Sequence, residues 1–253
     1  MIYVILFFVL GVVLGSFYNV VGFRLSNGES IVKPRSHCPK CGHVLSFYEL
    51  VPILSYLFLR GKCKCCKEKI SMFYPIMELF SGILFAVSYY SFGFSYDLLL
   101  SIALSSLFII VTVSDLNYYI IPDQVNLFFG IVIFIINILK FGFLGACKYA
   151  FFGLIIFLLM YLIMIIGKLI FKEECLGGGD VKLLFVLGMT CPLVLSLFGI
   201  ALSSFIALPV SLIIYISNKD KKIPFGPFLV GGFLIILLFK IDTKKVFDFL
   251  MNL

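Results

Sequence analysis

The chain has 253 residues, 62% of them hydrophobic and only 13% charged, with a mean hydropathy of +1.16. Soluble domains carry roughly 45–50% apolar and 25% charged residues, so a water-soluble globular class is excluded. The net charge of +7 does not read as a nucleic-acid footprint, because the cations sort by the side of a membrane.

Apolar runs of about 17–25 residues, the length that crosses a bilayer, follow one another almost without interruption and predict an all-α, polytopic membrane protein. The first, Met1 to Val21, lacks the basic start and small-residue cleavage pattern of a secretory signal and is expected to remain as a transmembrane helix over 1–25. Its Gly11 and Gly15 have the GxxxG spacing that lets a second helix come close. A polar stretch over 26–71 follows. Arg24, Lys33, Arg35, Lys40, Arg60, Lys62, Lys64, Lys67 and Lys69 lie in or beside it, against Glu29, Glu49 and Glu68. The positive-inside rule makes this a cytoplasmic loop, with contact to anionic membrane lipid as a secondary role for its cations.

Seven further runs, over 73–91, 97–114, 121–139, 145–170, 179–190, 193–216 and 226–241, bring the total to about eight transmembrane helices. Residues 72–253 form one multi-pass domain with both ends of the chain outside. Lys168, Lys172, Lys219, Lys221 and Lys222 then fall inside, as expected, whereas Lys140, Lys148, Lys240, Lys244 and Lys245 fall outside against the rule. The 179–190 run is short for a span and implies a misplaced boundary or a locally thin bilayer.

The loop holds Cys38-Pro-Lys-Cys41 and Cys63-Lys-Cys-Cys66, two CxxC knuckles 21 residues apart. Two tight turns, each offering two thiolates, complete a tetrahedron for a structural zinc ion. Reduced cytoplasmic thiols favour metal over disulfide. The ligand set is Cys38, Cys41, Cys63 and Cys66, with Cys65 open as a replacement in the second knuckle. A closed four-sulfur site holds a fold and leaves no position for substrate. His37 and His43 read as solvated loop residues, and Cys147, Cys175 and Cys191 as small apolar ones.

Acids beside membrane segments are costly, which makes each a functional candidate. Asp115 closes the third run, and Asp180 opens the sixth directly after Gly177, Gly178 and Gly179. Both fall on the cytoplasmic side, where two carboxylates sharing a site keep one proton between them and can hydrolyse a peptide bond without a metal. Gly177 and Gly179 permit close backbone approach and unusual backbone angles beside the second acid. The competing reading makes Asp180 an N-cap and Asp115 an interfacial group. Asp123 and Asp97 read as caps. Lys182 and Glu78 are supporting candidates, and Glu78, inside the second run, is placed to pair with Arg24, Lys182 or a substrate amine. Two non-protease alternatives stand beside the acid pair: a membrane-anchored zinc-ribbon binding module, and a thiol oxidoreductase that uses the CxxC pairs.

The ordered set of motifs resembles the bacterial type IV prepilin peptidase family of GxGD membrane aspartyl proteases. It runs from Gly15–Arg24 through the two knuckles, His37–Tyr48, Pro52–Ser55, Tyr74–Glu78, Asp115–Asp123 and Gly177–Leu183 to Ile223–Phe228. The resemblance implies an enzyme in the bacterial cytoplasmic membrane that cleaves the basic leader of prepilins or pseudopilins after a glycine. It implies that Asp115 and Asp180 are the catalytic pair. It also implies N-methylation of the new N-terminus with S-adenosylmethionine, associated with the four-cysteine loop. Leader lysines would seek Glu29, Glu49, Glu173 or Glu174.

Overall fold

The computed structural model describes residues 1–172, 176–217 and 223–251. A backbone surrounded by hydrocarbon has no water to satisfy its N–H and C=O groups and must pair them internally, so the apolar runs become helices. In chain order these are α1 (Ile2–Ser26), α2 (Leu54–Phe58), α3 (Phe73–Phe92), α4 (Tyr96–Tyr118), α5 (Asp123–Phe171), α6 (Gly178–Gly188), α7 (Leu193–Ser217), α8 (Gly226–Leu238) and α9 (Thr243–Met251). No strand occurs among the described residues; the loop contributes two isolated bridges, His37 with Val44 and Lys62 with Lys69. Among the described residues, five helices are long and apolar enough to cross a membrane. The chain is an integral membrane protein of the all-α class.

α5 is two helices joined at Gly142, which leaves helical geometry at φ 74° and ψ 175°. Both halves lie along α6. Asn137 Nδ2 donates to the Met189 carbonyl at 2.9 Å, and a Cβ on Gly153 would sit 2.5 Å from the Phe185 carbonyl oxygen. The 49 residues therefore run out and back instead of forming one rod of about 74 Å. The expected runs 121–139 and 145–170 are these two halves. α9 lies beyond the last expected span.

α4 is the central post, with 78% of its apolar window buried against 28% for α1 and 6% for α5. Leu104, Leu107 and Val111 of α4 pack with Val125 and Ile133 of α5, Leu183 and Leu187 of α6, and Leu229 and Phe233 of α8 in one core. α1 closes on α3 through the expected small-residue face: a Cβ on Gly11 would lie 2.6 Å from the Ser81 carbonyl oxygen, and one on Gly15 would lie 2.8 Å from Ser81 Cβ. These spacings leave no room for a larger residue.

The two ends of the bundle differ. At the loop end, Asn27 Nδ2 donates to the Tyr118 hydroxyl at 2.9 Å, and Ile121 meets the start of α6. At the far end Lys140 forms an ion pair with Asp97, and Lys240 sits 5.3 Å above the Phe92 ring. Asp97 is thus an ion-pair partner and not the cap expected; Ser95 caps α4, accepting from the Leu98 N–H at 3.2 Å. α6 has 11 residues, about 16 Å, roughly half of a bilayer core. Its length is close to that of the expected 179–190 run, and a far-end cavity of 580 Å³ borders Thr190 and Cys191 just beyond its end. Glu173, Glu174, Cys175, Lys219, Lys221 and Lys222, named in the sequence reading, lie outside the described residues.

Candidate active site and cysteine cluster

Asp115 lies in the last full turn of α4, and its own carbonyl accepts from the N–H of Tyr119, the left-handed residue that ends the helix. Its side chain is buried, and Oδ2 accepts the Gly226 N–H at 2.9 Å. Gly226 is the first residue of α8, where backbone N–H groups lack helical partners and the helix dipole is positive. One helix therefore supplies a carboxylate to the N-terminus of another, 111 residues on. The approach is tight: a Cβ on Gly226 would lie 2.7 Å from Val111 Cγ1 and 3.0 Å from Asp115 Oδ2.

Asp180 stands in the first turn of α6, half-buried, and the N-cap position belongs to Gly177, so the capping alternative does not describe it. Ile121 joins the two acids. A Cβ on Gly179 would be 3.3 Å from Ile121 Cβ, and Ile121 Cδ1 would be 3.0 Å from a Cβ on Gly226. The glycines serve space and not unusual backbone angles, since Gly177 has an ordinary φ of −68° and a Cβ there would lie 2.9 Å from Asp180 Oδ2.

The supporting candidates separate. Lys182 Nζ pairs with Asp123 at 2.7 Å, so Asp123 bridges α5 to α6, and the expected cap hydrogen bond at the start of α5 is absent. Glu78 pairs with neither Arg24 nor Lys182. Its buried Oε2 accepts the Ile53 N–H at 2.8 Å, while Arg24 Nη1 donates to the Ser30 carbonyl at 3.1 Å. Gly226 and Ile121 were given no role from sequence, although both lie in motifs singled out there. The available signal was a glycine between Pro224-Phe225 and Pro227 at a helix start, a place suited to a close backbone contact.

In the loop, the sulfur atoms of Cys38, Cys41, Cys63 and Cys66 all lie within 4.8 Å of one another. Cys38 to Cys66 is 3.8 Å and Cys41 to Cys63 is 3.9 Å. Four thiolates at about 2.3 Å from a tetrahedral zinc stand about 3.8 Å apart, so the set fits such an ion. The two knuckles repeat one backbone pattern. Gly42 N–H donates to the Cys38 carbonyl at 2.9 Å and Lys67 N–H to the Cys63 carbonyl at 3.1 Å; Cys38 N–H reaches His43 O at 2.9 Å and Cys63 N–H reaches Glu68 O at 2.8 Å. Gly42 and Lys67 are both left-handed, at φ 69° and 59°. Cys65 takes the place that Lys40 has in the first knuckle and is exposed, outside the cluster. N–H groups of Cys41 and then Lys40 pull the Cys38 thiol down to about 6, whereas Cys41, despite the His43 N–H, is pushed up to about 12 by burial and the neighbouring sulfurs. His43 Nε2 lies 3.2 Å from Glu49, whose carboxyl is held down at about 2, first by the Ser46 hydroxyl and N–H. Glu49 is thereby engaged within the loop.

Two family profiles match consecutive parts of the chain: the bacterial peptidase A24 N-terminal domain over residues 9–92, and the type IV leader peptidase family over 102–212. A prepilin leader peptidase/N-methyltransferase of Bacillus subtilis is 34% identical over 242 residues, covering 92% of each chain. The chain belongs to the type IV leader peptidase family. A Vibrio cholerae protein of the same description is 32% identical, with 93% of this chain and 96% of its own covered. A Myxococcus xanthus one is 38% identical over 188 residues; this chain spans 56% of its length. No solved structure gives a significant match. Within this leader peptidase chain the first profile takes in α1, the cysteine loop and α3, and the second holds Asp115 and Asp180. Gly226 lies beyond both.

Proposed function

We propose that the chain is a membrane aspartyl endopeptidase that removes the basic leader of prepilins or pseudopilins at the cytoplasmic face of the bacterial cytoplasmic membrane, and then N-methylates the new N-terminus. The observation that carries the protease reading is the convergence of Asp115 and Asp180, from separate helices, around Ile121 at the loop end. Asp115 accepts an N–H at a helix N-terminus and is the member placed to hold negative charge and activate water. Asp180 keeps the shared proton and delivers it to the scissile carbonyl oxygen, then to the departing amine. Gly177 and Gly179 give the substrate backbone room beside Asp180, and the Lys182–Asp123 pair ties α6 to α5.

The division into a first helix (1–25), a four-cysteine loop (26–71) and a protease domain (72–253) supports a split of labour. Cys38, Cys41, Cys63 and Cys66 hold a zinc ion that keeps the loop folded. S-adenosylmethionine supplies the electrophilic methyl group when bound. The charge pattern supports contact with membrane lipid and none with nucleic acid. The test is mass spectrometry of a purified prepilin incubated with the full chain in proteoliposomes and S-adenosylmethionine. The product is expected to be shorter by the leader and heavier by one methyl group; an intact precursor would overturn the reading.

A further inference from the structure

Between the cysteine loop and the helices lies a cavity of 560 Å³, bordered by Ser16, Asn19 and Arg24 of α1, Tyr74 and Glu78 of α3, and Tyr56 of the loop. Small-molecule sites usually occupy about 300–1,000 Å³. Its lining mixes the cations Arg24, Lys40, Lys64 and Lys69 with acceptors, two of which, Glu78 and Asn19, belong to α3 and α1. Glu78 is 7% exposed, and its carboxylate, with about four lone-pair positions, accepts the Ile53 N–H at 2.8 Å. Asn19, 2% exposed, donates through Nδ2 to the Tyr74 carbonyl at 3.3 Å, which leaves its Oδ1 buried with no donor. Tyr74 is one helical turn from Glu78, and a Cβ on Gly15, one turn from Asn19, would lie 3.0 Å from Glu78 Cα. Glu78 and Asn19, on the adjoining helices α3 and α1, thus have more acceptor positions than hydrogen-bond donors of their own. Buried acceptors without donors are costly, and a ligand that brings several N–H groups removes that cost.

We infer that this cavity is where methyl transfer takes place, and that Glu78 and Asn19 bind the α-ammonium of the processed N-terminus there. An ammonium carries three N–H donors, matching the acceptor surplus; a sulfonium has none. An ammonium nitrogen has no lone pair, so one proton must leave before the nitrogen can react. Glu78 takes that proton. The freed lone pair forms the N–C bond to the methyl carbon of a sulfonium donor, the C–S bond breaks with its electron pair on sulfur, and a protonated secondary amine and a neutral thioether result. The inference rests on the methylation reading above.

Glu78 also holds Ile53, a β-branched residue at φ 61°, so a purely structural role has to be separated from proton acceptance. Glu78→Gln does this, since its amide oxygen still accepts the Ile53 N–H but cannot take a proton. The experiment uses purified full-length chain, added S-adenosylmethionine for the rate measurements, and a synthetic peptide of an already cleaved pilin N-terminus, which bypasses proteolysis. The wild-type chain is expected to bind the free-amine peptide at least about 10-fold more tightly than its N-acetylated form, as hydrogen bonds to a charged group imply. E78Q is expected to lose that discrimination and to methylate at least about 100-fold more slowly, the usual scale for losing a general base. Zinc content and thermal unfolding should be unchanged. Should E78Q lose its zinc, Asn19→Ala carries the same comparison, with weakened preference for the free amine as the expected result. An unaltered preference together with a wild-type methylation rate in E78Q overturns the role of Glu78. Absence of methyl transfer by the wild-type chain overturns the methylation reading itself, and this inference with it.

Discussion

A side chain at position 226 has no space, because Val111, Ile121 and Asp115 already surround the Gly226 α-carbon. Gly226→Val is expected to push the Asp115 carboxylate off its N–H partner, to lower leader cleavage at least about 10-fold, and to destabilise the protein by about 1–3 kcal/mol, the scale of overpacking. Cleavage kinetics and thermal melting in detergent measure both. The cysteines give a second prediction at this scale. Cys66→Ser should abolish stoichiometric metal binding while Cys65→Ser retains it, because only Cys66 joins the cluster; metal analysis of the purified variants decides. Residues also differ in how far sequence exposes them. The cysteine set was readable because knuckle spacing is local, whereas the Gly226–Asp115 contact links positions 111 apart through a helix end. No periodicity signals such a contact. Asn19 is an intermediate case: a polar residue in an apolar helix is visible, but its unpaired oxygen is a product of packing.

Among the elements, α6 depends most on small residues. A Cβ on Gly188 would lie 2.9 Å from Gly153 Cα, and one on Gly153 would lie 2.5 Å from the Phe185 carbonyl oxygen, so α6 and the second half of α5 touch backbone to backbone. Gly153→Leu is expected to prise these helices apart and to displace Asp180. Loss of both thermal stability and cleavage would follow, and retention of either at the wild-type level would contradict the packing account. Apolar run lengths located the helices well, since internal hydrogen bonding in lipid leaves few alternatives. They placed the short α6 well, at 178–188 against the expected 179–190, and missed α9, an amphipathic stretch of nine residues that no search for apolar spans would find.

For the whole molecule, some lysines that run against the charge rule have partners: Lys140 forms an ion pair with Asp97, and Lys148 and Lys240 lie over aromatic rings. The orientation predicts that Phe94→Cys, exposed at the far end, gains label from a membrane-impermeant maleimide in intact cells, whereas Lys64→Cys in the loop gains label only after lysis. The reverse pattern would invert the topology. The central claim is that Asp115 and Asp180 together cleave the leader, and single-residue variants of the otherwise intact chain test it most directly. Asp115→Asn and Asp180→Asn keep size and polarity but cannot share a proton in the same way, so each is expected to slow cleavage of a purified prepilin by at least about 10³-fold, on the scale of losing one member of a catalytic pair. Both variants should remain folded, with zinc retained. Wild-type cleavage rates in either folded variant would contradict the account.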